Sequence, residues 1–215
     1  MRRVSEDDQS PNKKEQILDA TTALLTSSGL QALSFENIAK QTGVSRQLIR
    51  YYYPTLDGLI ADLCDHLGKV YQDVLIAGVV KVGQVERLDF FLDFFFGVSA
   101  DYPMPDNLEA YDSLFAFAVG APEVKTRLRV KYRTLGQVIQ HELAIAHPQL
   151  DAAACDELSF LFVSMMHAHW SYIATLGFSQ AYNKVARKAM DRLIASYCKE
   201  GAAMPTIESS WFRDP

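Results

Sequence analysis

Four residues within six positions, Arg46, Gln47, Arg50 and Tyr51, have side chains suited to recognising another molecule through hydrogen bonds. An arginine fork matches the O6 and N7 acceptors of guanine, and a glutamine amide matches the edge of adenine. A tyrosine hydroxyl can donate to a phosphate oxygen. Spaced three and four apart, such side chains share one face of a helix. The chemistry they offer is readout of a DNA duplex, and Arg46 is the foremost candidate for a base contact. Ser34, Ser45, Tyr52 and Thr55 complete the candidate set with further hydroxyls. For Arg46 and Gln47 the competing reading is a solvated surface side chain; for Tyr52 it is packing.

A reading face needs a firm support, and the stretch 33–53, LSFENIAKQTGVSRQLIRYYY, provides one. Ser34 is placed to cap a first helix and Ser45 a second, each hydroxyl accepting an orphan backbone N–H. Gly43 marks the turn between them, where a left-handed backbone costs glycine little. Ile38 and Ala39 face inward, Val44 plugs the turn, and Ile49 packs back from the second helix. Ala39 is small, so the two helices can cross closely. The pattern is a helix-turn-helix, whose second helix enters the major groove. Pro54 stops that helix. Thr55 can cap the next one, with Asp57 near the positive end of its dipole.

The rest of the chain must position this device. Its 215 residues suit one domain, or a small domain with a larger one, and 49% hydrophobic content allows a sizeable core. Net charge is −5, so the whole chain is not a basic nucleic-acid binder. The charge is uneven, however: residues 1–53 carry seven Lys/Arg against six Asp/Glu, and the remainder fourteen against twenty. A near-neutral end can still bind DNA if its cations share one face. Cys64, Cys155 and Cys198 are scattered and odd in number, which fits buried thiols in a reducing compartment. The first residues, MRRVSEDDQSPNKK, lack the apolar core of a signal peptide. The apolar run 88–98 is too short to span a membrane. The expected location is the cytoplasm.

Helical periodicity runs through the whole chain. A first helix is expected over 12–28, with Asn12 and Glu15 spaced as a capping box and Ile17, Leu18, Thr21, Leu24 and Leu25 on one stripe. Gly29 ends it. A helix from 56 to about 81 follows Thr55 without a flexible linker, so it is expected to be a rigid connector. Further helices are expected over 85–100, 108–119, 122–146, 151–176 and 179–199, with Pro122 at a first helical position and Asp151 as a cap. No stretch alternates with strand period. The fold class is therefore all-α, with a three-helix helix-turn-helix domain at 1–56 beginning in a mobile tail at 1–11. Arg2 and Arg3 in that tail could form a basic arm. A helical body at 57–200 and a tail at 201–215 follow.

Residues 12–60 resemble the DNA-binding domain of the TetR family of bacterial transcriptional repressors. The matching elements are Ile17, Gly29, Leu33-Ser34-Phe35, Ile38-Ala39, Thr42-Gly43-Val44-Ser45, Tyr51-Tyr52-Tyr53, Pro54 and Leu59. The resemblance implies a homodimer that binds a palindromic double-stranded DNA operator. It also implies that 57–200 is a ligand-binding and dimerisation domain, and that a small-molecule effector entering it releases the DNA. Two positions depart from the family pattern, and a third adds a negative charge. Arg50 stands where a tyrosine is common, Leu56 where a phosphate-contacting lysine is usual, and Glu36 brings an acid near the DNA backbone. Arg50 could replace the lost phosphate contact, and Glu36 is expected to face away from phosphates or to brace an arginine.

The body is rich in rings. Phe90, Phe91, Phe94, Phe95 and Phe96 crowd one helix, and several of them must be core. Phe91, Phe95, Tyr102, Tyr111, Phe115, Tyr132, Met166 and Trp170 are candidate walls of an apolar ligand site, with His141 and His167 as candidate polar groups. His167 and His169 are two apart and point to different sides of a helix, so a metal site is not expected. The basic run Lys125, Arg127, Arg129, Lys131 and Arg133 spreads around its helix as a solvated face. The last two long helices carry Leu158, Leu161, Phe162, Met165, Ala168, Ile173, Ala189, Leu193 and Tyr197 in register, enough for a core side and a dimer side. There is no GxSxG, no HExxH and no phosphate-cradling glycine loop, so neither an enzyme nor a cofactor is expected. The competing reading is an all-helical small-molecule-binding protein or enzyme that uses the aromatic cavity and has no DNA role.

Overall fold

Ser34, Ser45, Thr55 and Asp151 each cap the helix that follows. A computed structural model describes residues 11–204 and Trp211, with the side chains of residues 11 and 12 excepted. The tail at 1–10, the Arg2–Arg3 arm and the Asn12 side-chain cap lie outside the described residues. Among the described residues the α-helices run in order: α1 Pro11–Ser28, α2 Phe35–Thr42, α3 Arg46–Tyr52, α4 Leu56–Val79, α5 Arg87–Phe95, α6 Leu108–Ala118, α7 Pro122–Ala146, α8 Ala152–Trp170 and α9 Tyr182–Glu200. The described residues contain no strand, and the fold is all-α.

Three elements differ in length from expectation. α5 ends at Phe95 because the chain turns at Gly97, where φ is +64°. α8 gives way at Ser171 to a wider turn with π-helical winding over Ser171–Thr175. The segment from Ser179 then forms a turn before α9 begins at Tyr182.

The chain divides into two compact units: Met1–Lys69 with Asn107–Leu128, and Val70–Asp106 with Arg129–Pro215. α4 and α7 each have residues in both units. In the first unit the α1 stripe Ile17, Leu18, Thr21, Leu24 and Leu25 is buried, and Thr21 returns its hydroxyl to the Ile17 carbonyl at 2.7 Å. Ile38, Ile49, Tyr53, Leu59 and Leu63 are buried in the same unit, and α1 packs on α2 and α2 on α3. Each fully buried aliphatic side chain of this kind contributes about 1.5–3 kcal/mol. Around that core Arg127 pairs with Asp65, Asp62 and Glu123, and Lys14 pairs with Asp62 at 3.6 Å.

The second unit is organised around rings. Phe90, Phe91, Phe94, Phe95 and Phe96 are all buried. Arg187 of α9 clasps α5 by donating to Asp93 and Asp89, each at 2.6 Å, and it also pairs with Asp191. Asn183 donates to the Gly97 carbonyl at 3.2 Å. These bonds fix α9 to the end of α5, and α8 and α9 also pack together.

Candidate nucleic-acid interface

The support beneath the reading residues is built from short-range bonds. Ser34 caps α2 by accepting the Asn37 N–H at 3.1 Å. The Asn37 amide reaches back to the Ala32 carbonyl at 2.7 Å, which closes the entry to the helix. α2 ends at Gly43, whose φ of +71° turns the chain and whose N–H bonds the Ala39 carbonyl. Thr42 stitches the same turn, donating to Ile38 O at 2.9 Å and accepting from Val44 N at 3.3 Å. Ser45 then caps α3 through Leu48 N at 3.1 Å. Ile38 and Ile49 are fully buried, while Ala39 and Val44 are half-buried. Val44 therefore covers the turn without being sealed in it.

With Ile49 turned inward, α3 presents the opposite side to solvent. Arg46, Gln47, Arg50 and Tyr51 are exposed, Tyr51 at 67%. Tyr51 and Tyr52 pack edge to face with centroids 5.4 Å apart. Tyr53 is core; burial, with Asp62 nearby, pushes its hydroxyl up to about 12, so it stays neutral. Thr55 caps α4 by accepting Gly58 N at 3.2 Å, and Leu56 is half-buried. Ser34, Ser45 and Thr55 each use a lone pair for the cap. An O–H remains on each that could donate to a phosphate oxygen.

The three unusual positions acquire partners or cover. The Arg50 guanidinium lies over the Phe35 ring, 5.3 Å from its centroid. This contact was not foreseen, although a ring at the first position of α2 and an arginine late in α3 are its signal. Glu36 pairs with Lys40 at 2.9 Å and stands 4.0 Å from Arg46. The Lys40 hydrogen bond and charge, and then the Arg46 charge, hold the Glu36 carboxyl below its usual range. The surface thus carries exposed cations, one fixed anion and donor-rich side chains on a supported helix. It suits polyanion recognition and contains no arrangement for bond making.

The residues considered for a ligand site fall in both units. Tyr111 and Phe115 belong to the first unit. Burial pushes the Tyr111 hydroxyl well above its ordinary range, and Phe115 is 37% exposed. His141 is exposed on α7. In the second unit Trp170 stacks on Phe95 at 5.9 Å and on Tyr71 at 5.8 Å, and its indole N–H donates to the Phe95 carbonyl at 2.8 Å. Phe90 bridges Phe91 and Tyr102 with centroids 5.7 and 5.3 Å away, and Met166 is fully buried. Tyr132 and His167 share a hydrogen bond of 3.0 Å between the hydroxyl and Nδ1. His169 bonds Asn183. Tyr71 was missed as a member of this cluster. Its signal was the spacing Cys64, Leu67, Tyr71 along the apolar face of α4.

Two capped helices meeting at a left-handed glycine, with one polar face outward, define a helix-turn-helix DNA-binding protein. Residues 17–63 match the family model described as bacterial regulatory proteins, tetR family. The fold is similar to that of a TetR transcription regulator from Haloarcula marismortui ATCC 43049, with a TM-score of 0.73 at 20% identity over 86% of this chain and 97% of that one. It is also similar to a TetR-family transcriptional regulator from Agrobacterium tumefaciens, with a TM-score of 0.68 at 17% identity over 85% and 98% of the two chains. A third similar structure is a candidate transcriptional regulator from Saccharomonospora viridis in complex with choline, with a TM-score of 0.72 at 16% identity over 86% and 97%. No curated protein matches the sequence. Residues 17–63 thus carry a DNA-binding domain of the tetR-family type, and the protein is a DNA-binding transcriptional regulator. The reading without a DNA role is set aside on that match. Among the described residues no helix is long and apolar enough to cross a membrane.

Proposed function

We propose that the protein is a dimeric repressor that binds a two-fold symmetric operator and leaves it when a small, largely apolar or aromatic effector enters its second unit. The observation that carries this reading is the α3 face, where Arg46, Gln47, Arg50 and Tyr51 all stand exposed on a helix held by a fully buried Ile49. Arg46 reads a guanine and Gln47 an adenine. Arg50, steadied on Phe35, takes a phosphate or a guanine, and Ser34, Ser45, Tyr52 and Thr55 donate to the backbone. The effector is held among Phe91, Phe95, Tyr102 and Trp170, with Tyr132 and His167 as polar guides. A similar fold holding choline supports small-molecule binding by this architecture. The protein acts in the cytoplasm, as a regulator and not as an enzyme.

Dimerisation runs through α8 and α9. α8 exposes Phe160, Leu161, Ser164 and Ala168, and α9 exposes Tyr182, Val185 and Ala189. Stripes of this kind suit a self-complementary helix pairing, and a two-fold protein matches a palindromic site. The effector shifts the equilibrium toward the arrangement it binds better, by no more than that preference. α4 is the connector that would carry the change toward α3.

The test is selection of bound duplexes from a random pool with the full chain. An inverted repeat whose half-sites lie about one helical turn apart is expected. Enrichment of no sequence, or of an unpaired half-site, would overturn the dimeric reading. Arg46→Ala should then weaken binding to the selected duplex.

A further inference from the structure

The segment after α9 is fastened to the second unit at two described points. The Glu157 carboxylate on α8 accepts the backbone N–H groups of Ala203 at 2.8 Å and Met204 at 2.6 Å, and the Tyr197 hydroxyl at 2.9 Å. Further on, Trp211 is only 7% exposed. Its ring lies flat on the backbone of α7 at Gly136. A Cβ added there would stand 2.2 Å from Cε2, 2.4 Å from Cζ2 and 2.5 Å from Cδ2. Phe160 of α8 tilts against the same ring at 5.9 Å.

The polar atom in this groove is selective. The Trp211 indole N–H donates to Ser159 Oγ at 2.7 Å. Ser159 is fully buried, and its own proton goes to the Asp156 carbonyl at 2.8 Å. The hydroxyl can therefore offer the groove a lone pair and not a proton. A flat bicyclic ring that donates one N–H is satisfied there, and a ring that only accepts is not. Gly136 points the same way. It lies deep inside the 25-residue α7, where glycine is a poor helix former, and the ring needs the space its missing side chain leaves.

We infer that the groove between α7 and α8 is a receptor for one indole ring, filled in cis by Trp211. Trp211 is then a tethered ligand, and a free indole-class compound has the chemistry to compete for its place. This site involves none of the residues proposed to contact DNA and shares only Phe160 with the proposed dimer stripe, so its test does not depend on operator binding.

The experiment uses the full chain and its Trp211→Ala variant, with indole and benzofuran as probes. Loss of the ring should lower Tm by at least about 5 °C. Millimolar indole should restore at least half of that loss in the variant and leave the wild type unchanged, while benzofuran restores little. Adding Ser159→Ala should abolish the preference for indole. A variant Tm within about 1 °C of wild type overturns the inference, as does equal rescue or no rescue by the two probes. If Trp211→Ala does not fold, Gly136→Ala decides in a Trp170→Phe background, where Trp211 is the only indole. The added methyl should expel the ring, seen as a red-shifted emission open to acrylamide, and an unchanged emission overturns the site. In the same Trp170→Phe background, shielding of Trp211 that disappears on dilution would place the ring in a second copy and overturn the assignment in cis.

Discussion

The α3 face and the ring cluster of the second unit are two ways of making a binding surface from helices. On α3 the support and the reader are separate groups. Ile49 and the Ser45 cap hold the helix, while Arg46, Gln47, Arg50 and Tyr51 reach outward. In the second unit the rings proposed to hold the effector are also the core. Trp170 is a candidate ligand wall, yet it also stacks on Tyr71 and Phe95 and bonds a carbonyl 75 positions away. A surface of the first kind can change its specificity without risk to the fold. One of the second kind can change its ligand only by repacking its core.

Two substitutions set that contrast against a measurement. Trp170→Ala should lower the unfolding free energy by roughly 3–5 kcal/mol, read from denaturant titration. Stability that stays near wild type would mean that the ring is a free wall, and the distinction between the surfaces would fail. Arg46→Ala should weaken binding to the selected operator by roughly 1–3 kcal/mol while leaving the denaturation midpoint where it was. A loss of stability there would show that Arg46 is part of the support as well as a reader.

The same contrast governs how much could be foreseen from the chain. Ser34, Gly43, Ser45 and Thr55 act on backbone groups three or four positions away, so their types and spacing were enough to place α2, α3 and α4. The α1 stripe was legible for the same reason. Phe95 and Trp170 could be named as aromatic candidates, but not paired, because helical periodicity says which side is apolar and not which ring it meets. Tyr111 and Phe115 share a composition with the cluster, and no local pattern tells that they fall in the other unit. The end of α5 depended on Gly97 and on bonds from Trp170 and Asn183, which no local pattern announces. Trp211 was hidden in the same way, since its slot is assembled from α7 and α8.

A smaller effect tests whether the local bonds of the reading unit act as supports. Ser45→Ala removes the hydroxyl that accepts Leu48 N and should cost about 1 kcal/mol of stability. Ser45→Gly should cost only a few tenths, because water can then reach the orphan N–H. If both changes weaken operator binding equally while stability differs, Ser45 also donates to phosphate. If binding follows stability, the cap is its whole contribution.

The smallest effect concerns Glu36, where two influences oppose each other. Its carboxylate pairs with Lys40 and stands 4.0 Å from Arg46, which could hold the arginine ready for a base. It also repels the DNA backbone and occupies a cation that could otherwise meet a phosphate. The pair is exposed, so bracing is weak and salt screens it. Repulsion should therefore win, and Glu36→Gln should raise operator affinity about two- to three-fold at low salt, with the gain fading as salt rises. The sign with pH follows from the lowered pKa. Whatever the carboxylate contributes to stability is fully present above its unfolded-state pKa and is lost only as pH falls through the lower folded-state value. The difference between the wild type and the Glu36→Gln variant should thus be flat between about pH 6 and 8. A fall in affinity on substitution would reverse the ranking, making Glu36 a brace and drawing support and reader together on α3 as they already are in the ring cluster.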